Sequence, residues 1–212
     1  MSEGTNGSID IKTYSIIILG NSGVGKSSIL KRLVYNKFDG NSIPTIGFEI
    51  SNKIIRLKNN ETIKLWLIHT AGQEQYRALG RTYFKNSDFV LFVFALNDKK
   101  SFEEIRNWVS NYKEINTDFD SNKTLPALLL GNKCDLDRVI NEEEIQKCQN
   151  DIKIYGYKET SAKDNIGFEL IFEEIGEILN KLYGKRKNKH NVKLAMKHKK
   201  NSKECNCMSG DE

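Results

Sequence analysis

No run of 18 apolar residues occurs anywhere in the 212-residue chain, so no membrane-spanning helix is expected. The polar, Gly/Ser-containing start, Met1 to Asp10, holds no apolar core of a leader, so no signal peptide is expected. Ser2 follows Met1 where N-myristoylation would need glycine, so that anchor is not expected. Cysteine is sparse: Cys134, Cys148, Cys205 and Cys207 have no spacing of a disulfide framework or a zinc site, and a reducing compartment fits. Internal repeats are lacking. A basic excess is also lacking over most of the chain. The formal net charge is +5, yet the segment from Lys185 onward holds nine basic and three acidic residues, and the 184 residues before it hold 24 and 25. The basic character belongs to the tail, and nucleic-acid binding by the rest is not expected.

What is present is a phosphate-binding pattern. Gly20-Asn21-Ser22-Gly23-Val24-Gly25-Lys26-Ser27 fits G-x-x-x-x-G-K-[ST]. An apolar run, Tyr14 to Leu19, precedes it and a helix-compatible run, Ser28 to Tyr35, follows, which is the strand–turn–helix context the pattern needs. Glycines let the backbone curl so that its N–H groups face phosphate oxygens, and the helix adds its positive dipole end. Lys26 can reach the outer phosphates and the Ser27 hydroxyl can ligate Mg²⁺. The pattern implies a nucleoside triphosphate without naming the base.

Strand and helix patterns alternate in the order strand 13–20, helix 27–35, strands 48–57 and 63–69, helix 75–84, strand 88–95, helix 101–115, strand 125–131, helix 141–150, strand 152–158 and helix 167–183. Asn59-Asn60 marks a hairpin and hence one antiparallel edge. Ser101 to Glu104 has the form of a capping box opening a helix. Leu170, Ile171, Ile175, Ile178, Leu179 and Leu182 form an expected core-facing stripe. The fold expected is a doubly wound α/β domain with a mostly parallel six-stranded sheet, one antiparallel edge strand and helices on both faces. The expected organisation is a short flexible N-terminus (1–12), one domain (13–183) and a basic tail (184–212).

Two further motifs follow expected strands: Asn132-Lys133-Cys134-Asp135 and Ser161-Ala162-Lys163. Ligands of open α/β sheets sit outside the carboxyl ends of strands, so all three motifs can meet in one crevice. N-K-x-D and S-A-K, downstream of a phosphate loop, resemble the guanine-recognition motifs of small GTPases of the Ras superfamily. The resemblance implies that Asp135 accepts hydrogen bonds from the guanine N1–H and amine, and that Asn132 braces the loops. It further implies that the Lys133 stem lies over the purine and the Ala162 N–H meets the guanine O6, with Ser161 and Lys163 completing the motif. It extends the nucleotide contacts to Ser22, Gly23, Val24, Gly25, Lys26, Ser27 and Ser28, and sets Phe38 beside the base. A half-exposed loop aromatic is the plainer reading of Phe38.

Pro44-Thr45-Ile46-Gly47 resembles the first switch, with Thr45 lying 18 positions after Ser27. It makes Thr45, with Ser27, a Mg²⁺ ligand in the triphosphate state. Thr70-Ala71-Gly72-Gln73-Glu74 resembles the second switch. There Gly72 would donate to the γ-phosphate and Gln73 would orient the attacking water. Loss of that phosphate would release both loops. One residue departs from the pattern: His69 stands where the family carries an aspartate that receives a metal-bound water. Imidazole accepts one hydrogen bond but brings no negative charge. Either His69 merely weakens a working site, or it marks altered Mg²⁺ use, fast exchange or poor hydrolysis. A zinc ligand is not expected at His69, since no Cys/His cluster lies nearby in sequence. Ser22, at a position often glycine in faster relatives, implies slow intrinsic turnover and a need for an activating protein.

Within the superfamily the Rab branch fits best, through Ile46 to Ile50, Lys64 to Ile68, Gln75 to Leu79 and Tyr83 to Lys85, each in degenerate form. Ile68 and Ile50 replace the usual Trp and Phe, so effector identity does not carry over. Membership implies GTP and GDP as ligands, with an exchange factor, a GTPase-activating protein, effectors, and a GDP-dissociation inhibitor and prenylation machinery as partners. It implies a place on the cytosolic face of a membrane and a role in vesicle traffic. Cys205-Asn206-Cys207 resembles a double prenylation site, although five residues follow it; a solvated linker with two incidental cysteines is the other reading. The Lys-rich stretch before it would favour an anionic leaflet either way. Retention of Gln73 favours a hydrolysing switch; His69 keeps open a non-hydrolysing, nucleotide-gated binding module.

Overall fold

The computed structural model describes residues 11–40, 45, 48–70, 83–85, 87–117, 120 and 123–184. Six strands, β1 (Lys12–Leu19), β2 (Phe48–Arg56), β3 (Thr62–Thr70), β4 (Phe89–Ala95), β5 (Leu125–Asn132) and β6 (Ile154–Thr160), form one sheet in the order β2-β3-β1-β4-β5-β6. Only β2 runs antiparallel to its neighbour, pairing with β3; the other pairings are parallel. The expected architecture is therefore the observed one.

Two faces of the sheet are covered, and the alternation of side chains assigns residues between them. Ile16, Ile18, Leu65, Leu67, Leu91, Val93, Leu128 and Leu130 pack beneath α1 (Lys26–Tyr35) and α5 (Ile171–Tyr183). Ile17, Leu19, Val90, Phe92, Phe94, Ala127 and Leu129 pack beneath α3 (Ile105–Ile115) and α4 (Glu142–Ile152). Burial on both faces is why β4 and β5 read as unbroken apolar runs: every residue in them is buried. Among the described residues no helix is long and apolar enough to cross a membrane.

Several expected boundaries move, each for a local reason. The helix expected over 101–115 is two, α2 (Lys99–Glu103) and α3, divided at Glu104. Its cap is Asp98, whose side chain accepts from the Ser101 N–H at 3.2 Å. Ser101 is not the cap; it is buried, and its hydroxyl donates to the Asp98 carbonyl at 2.7 Å. The capping box lies instead at Asn141 and Glu144, opening α4, which runs to Ile152. Lys153, in the left-handed region, then stops the helix, so β6 starts at Ile154 and not at 152. The last helix begins at Ile171, not at 167. Its stripe is shorter than expected: Ile171, Ile175, Ile178 and Leu179 are buried, while Leu170 and Leu182 are exposed. Of the helix expected over 75–84, only Tyr83 and Phe84 are described, and both are helical.

Candidate functional site

β1 ends at Leu19 and α1 starts at Lys26, so the phosphate-loop sequence occupies the turn between them. Two of its glycines serve close approach as well as curvature. Gly20 lies against the Val93 carbonyl of β4, and Gly25, at φ 99°, lies against the Asn132 side-chain amide; a Cβ at either would overlap that neighbour. α1 has no side-chain cap and no acidic residue in its first turn, which leaves its positive end to a ligand. Ser22 and Gly23 are exposed and Val24 is buried. Lys26 is buried, and its Nζ donates to the Asn21 carbonyl at 2.6 Å. Burial lowers its pKa to about 8, a cost that a facing phosphate anion would offset. Ser27 and Ser28 are half-buried in the first turn.

The base-side motifs form a connected set at the carboxyl ends of β5 and β6. Asn132 is buried and holds three partners: its Nδ2 donates to the Val24 carbonyl at 2.8 Å, and its Oδ1 accepts from Thr160 Oγ1 at 3.2 Å and the Ala162 N–H at 3.3 Å. One side chain thus ties the phosphate loop to both base loops. Ser161 Oγ donates to Asp135 Oδ1 at 2.6 Å, and Lys163 Nζ stands 3.9 Å from Asp135 Oδ2. Lys133 takes the left-handed region at φ 64°. Ala162 is buried and Lys163 exposed. Phe38, just past α1, is 38% exposed, in agreement with a loop aromatic open to one face.

At the other end three polar atoms converge. Ser27 Oγ lies 2.8 Å from Thr45 Oγ1 and 2.8 Å from His69 Nε2, and Thr45 Oγ1 lies 3.3 Å from the same nitrogen. The two hydroxyls fit the hard-oxygen chemistry of a divalent cation. His69 is fully buried near the end of β3. Burial, then the charges of Lys26 and Lys31, lower its pKa to about 4, so it is neutral at physiological pH. Its Nδ1 has no hydrogen-bond partner among the described residues; Glu49 Oε2 stands 3.8 Å away. Glu49 is the residue directly opposite His69 in the β2/β3 ladder.

Phosphate loop, base motifs, Thr45 and His69 therefore lie together at the carboxyl ends of β1, β3, β5 and β6. Gly72, Gln73, Cys205 and Cys207 lie outside the described residues. The sequence did not indicate Arg32, which donates from Nε and Nη2 to the Ala162 carbonyl at 3.0 and 2.9 Å and bonds the Lys163 carbonyl at 3.1 Å. Nor did it indicate Trp108, whose indole N–H donates to Asn21 Oδ1 at 2.8 Å and anchors the phosphate loop to α3. Both partners are remote in sequence, and no local pattern could have found them. Glu49 was reachable only through the hairpin register.

Residues 15–181 match the Ras family. The chain is 39% identical over 163 residues to the Ras-related protein Rab-9A of Rattus norvegicus, an alignment spanning 76% of this chain and 80% of that protein. It is 37% identical over 161 residues to the Ras-related protein Rab-9B of Homo sapiens, spanning 75% and 79%. With the Ras-related protein RabC of Dictyostelium discoideum it shares 37% over 163 residues, spanning 76% and 80%.

Proposed function

The chain belongs to the Ras family as a Rab-like GTP-binding switch that hydrolyses GTP, and from that premise we propose how its own residues divide the work. Asp135, held by Ser161, reads the guanine N1–H and amine; a base lacking that donor pair leaves a carboxylate unpaired. Ala162 shares its N–H, held at a long 3.3 Å by Asn132 Oδ1, with O6, Lys133 covers the purine with its stem, and Phe38 closes the side of the ring. Gly23, Gly25, Lys26, Ser27 and Ser28 receive the phosphates, with Ser22 on the exposed side of the loop and Val24 contributing its backbone from a buried position. Ser27 and Thr45 hold Mg²⁺, which neutralises phosphate charge when bound. Gly72 senses the γ-phosphate and Gln73 orients the attacking water.

The observation that carries this reading is Asn132, a buried amide bonded at once to the Val24 carbonyl, Thr160 and the Ala162 N–H. It fixes the distance between a phosphate cradle and a base reader before any ligand arrives. That is the preorganisation a nucleotide-gated switch needs.

The remainder of the cycle belongs to surfaces around this site. Residues 1–12 and 184–212 flank a single GTPase domain. The Lys-rich tail and Cys205/Cys207, carrying two prenyl groups, hold the protein on the cytosolic face of a membrane. An exchange factor, a GTPase-activating protein, effectors and a GDP-dissociation inhibitor then run it as a regulator of vesicle traffic. Kinship with Rab GTPases does not favour the alternative of a non-hydrolysing module.

Single-turnover GTP hydrolysis by the purified chain, with Mg²⁺ titrated across the millimolar range, tests the reading. Slow conversion to GDP, on the order of 10⁻⁴ to 10⁻² per second, is expected. GTP persisting intact at every Mg²⁺ level would overturn the catalytic assignment. Membrane recovery unchanged by Cys205→Ser with Cys207→Ser would overturn the anchor.

A further inference from the structure

His69 is placed differently from a residue that meets a cation only through water. Its Nε2 is within 2.8 Å of one expected ligand hydroxyl and 3.3 Å of the other. Adjacent ligands of one octahedral centre at about 2.1 Å stand about 3 Å apart. The separations of Ser27 Oγ, Thr45 Oγ1 and His69 Nε2, at 2.8, 2.8 and 3.3 Å, are those of one octahedral face. The same three atoms bond to one another here, and an ion seated on that face would meet all three.

The other ring nitrogen supplies a second, independent observation. His69 Nδ1 is buried, has no hydrogen-bond partner among the described residues, and has the Glu49 carboxylate 3.8 Å away on the paired strand. A carboxylate on that side favours the proton on Nδ1 and leaves the Nε2 lone pair facing the hydroxyls. Histidines that ligate metals donate their second nitrogen to a carboxylate, and Glu49 stands just outside hydrogen-bond reach of making that contact here. Imidazole is a ligand for first-row transition ions, while Mg²⁺ takes oxygen donors and sheds its water reluctantly.

We infer that His69 is a direct nitrogen ligand of the divalent cation that accompanies the bound nucleotide, oriented by Glu49, and that the site therefore favours a first-row transition cation over Mg²⁺. The inference rests on the guanine-nucleotide reading above.

The test uses the full chain loaded with a non-hydrolysable GTP analogue and Mn²⁺, the paramagnetic probe for that class, since Thr45 belongs to the face in the triphosphate state. Electron spin-echo spectroscopy is expected to show nitrogen coupling to Mn²⁺ that changes its pattern when histidine is labelled with ¹⁵N, and that vanishes in His69→Gln. GDP release is expected to be about ten-fold slower in Mn²⁺ than in Mg²⁺, and His69→Asp is expected to narrow that ratio. A Mn²⁺–triphosphate complex with no nitrogen coupling would overturn the inference and leave the switch intact. Coupling that survives in His69→Gln would assign it to another histidine and overturn the inference equally. The labelling experiment needs no variant to fold. A chain that retains no guanine nucleotide with either cation would sink the nucleotide reading itself.

Discussion

The two ends of the nucleotide crevice are built on opposite plans. At the base end Asn132 is already engaged by the Val24 carbonyl, the Thr160 hydroxyl and the Ala162 N–H, and Asp135 by the Ser161 hydroxyl. At the cation end, Lys26 is buried against one carbonyl, His69 is held neutral, and one of its nitrogens lacks a partner among the described residues. The first end is a rigid reader whose cost is met on folding. The second leaves its polar groups to be completed by ligand charge. Selectivity for the base should thus survive changes at the cation end, whereas occupancy, exchange and turnover should follow the cation.

The largest effect that would break this division is expected from Asp135→Ala. Two charge-assisted hydrogen bonds to the base disappear, about 3–6 kcal/mol, or on the order of 10² to 10⁴ in affinity. Calorimetry with GDP and with inosine diphosphate, which lacks the exocyclic amine, checks it. The native chain should prefer GDP strongly and the variant should hardly distinguish them. A variant that kept full preference would move base reading away from Asp135.

Next comes Asn132→Ala, which severs the tie between the two ends. It strips partners from the buried Thr160 hydroxyl and from the Ala162 N–H and Val24 carbonyl. A cost of about 2–4 kcal/mol in the nucleotide-free chain is expected by urea denaturation, together with weaker nucleotide binding. Unchanged stability would mean that water replaces all three bonds, and that the base end is not preformed.

How much of this was legible in sequence follows the same division. The phosphate loop and the Asn132 motif are short contiguous motifs after apolar runs, and those runs are continuous because the end of β1 and all of β5 are covered on both faces. The braces between motifs were not legible: Arg32 is 130 residues from Ala162, and Trp108 is 87 from Asn21. His69 stood out as a departure from pattern, but its partner did not. A two-residue turn at Asn59-Asn60 would set Ile50 opposite His69. In the structure the strands part at Arg56 and Thr62, with the Leu57 N–H donating to the Glu61 carbonyl at 2.9 Å and Asn60 left-handed, and that longer loop brings Glu49 opposite instead. Loop length, which no local pattern fixes, decided which chemistry met the imidazole. Helix starts failed for a related reason: Ser101 has the cap-forming chemistry, but burial turned its hydroxyl inward and left capping to Asp98.

A smaller effect concerns pH in the nucleotide-free chain. The folded pKa of His69 is about 4, below the ordinary 6.5, so the unfolded chain binds more protons between these values. Stability is therefore complete above about pH 6.5 and declines as pH falls toward 4, by at most about 3 kcal/mol. Denaturation across that window, compared with His69→Gln, isolates the contribution. Parallel slopes in both proteins would show that the imidazole is not held neutral by its surroundings.

The smallest expected effect sharpens the comparison most. His69→Asp restores a carboxylate to the cation end while leaving the base reader untouched. In Mg²⁺ the added charge should slow GDP release by about 10–100-fold, the usual scale for residues next to a metal site. The preference for GDP over inosine diphosphate should not move, because Asp135, Ser161 and Asn132 keep their partners. A shift in that preference would mean that the ends are coupled through the phosphate loop, with Asn132 transmitting strain from Gly25, which lies against its amide, to the base loops. Unchanged release in Mg²⁺ would instead show that Ser27, Thr45 and the phosphates alone fix Mg²⁺ affinity, and that the charge carried by residue 69 has no part in nucleotide retention.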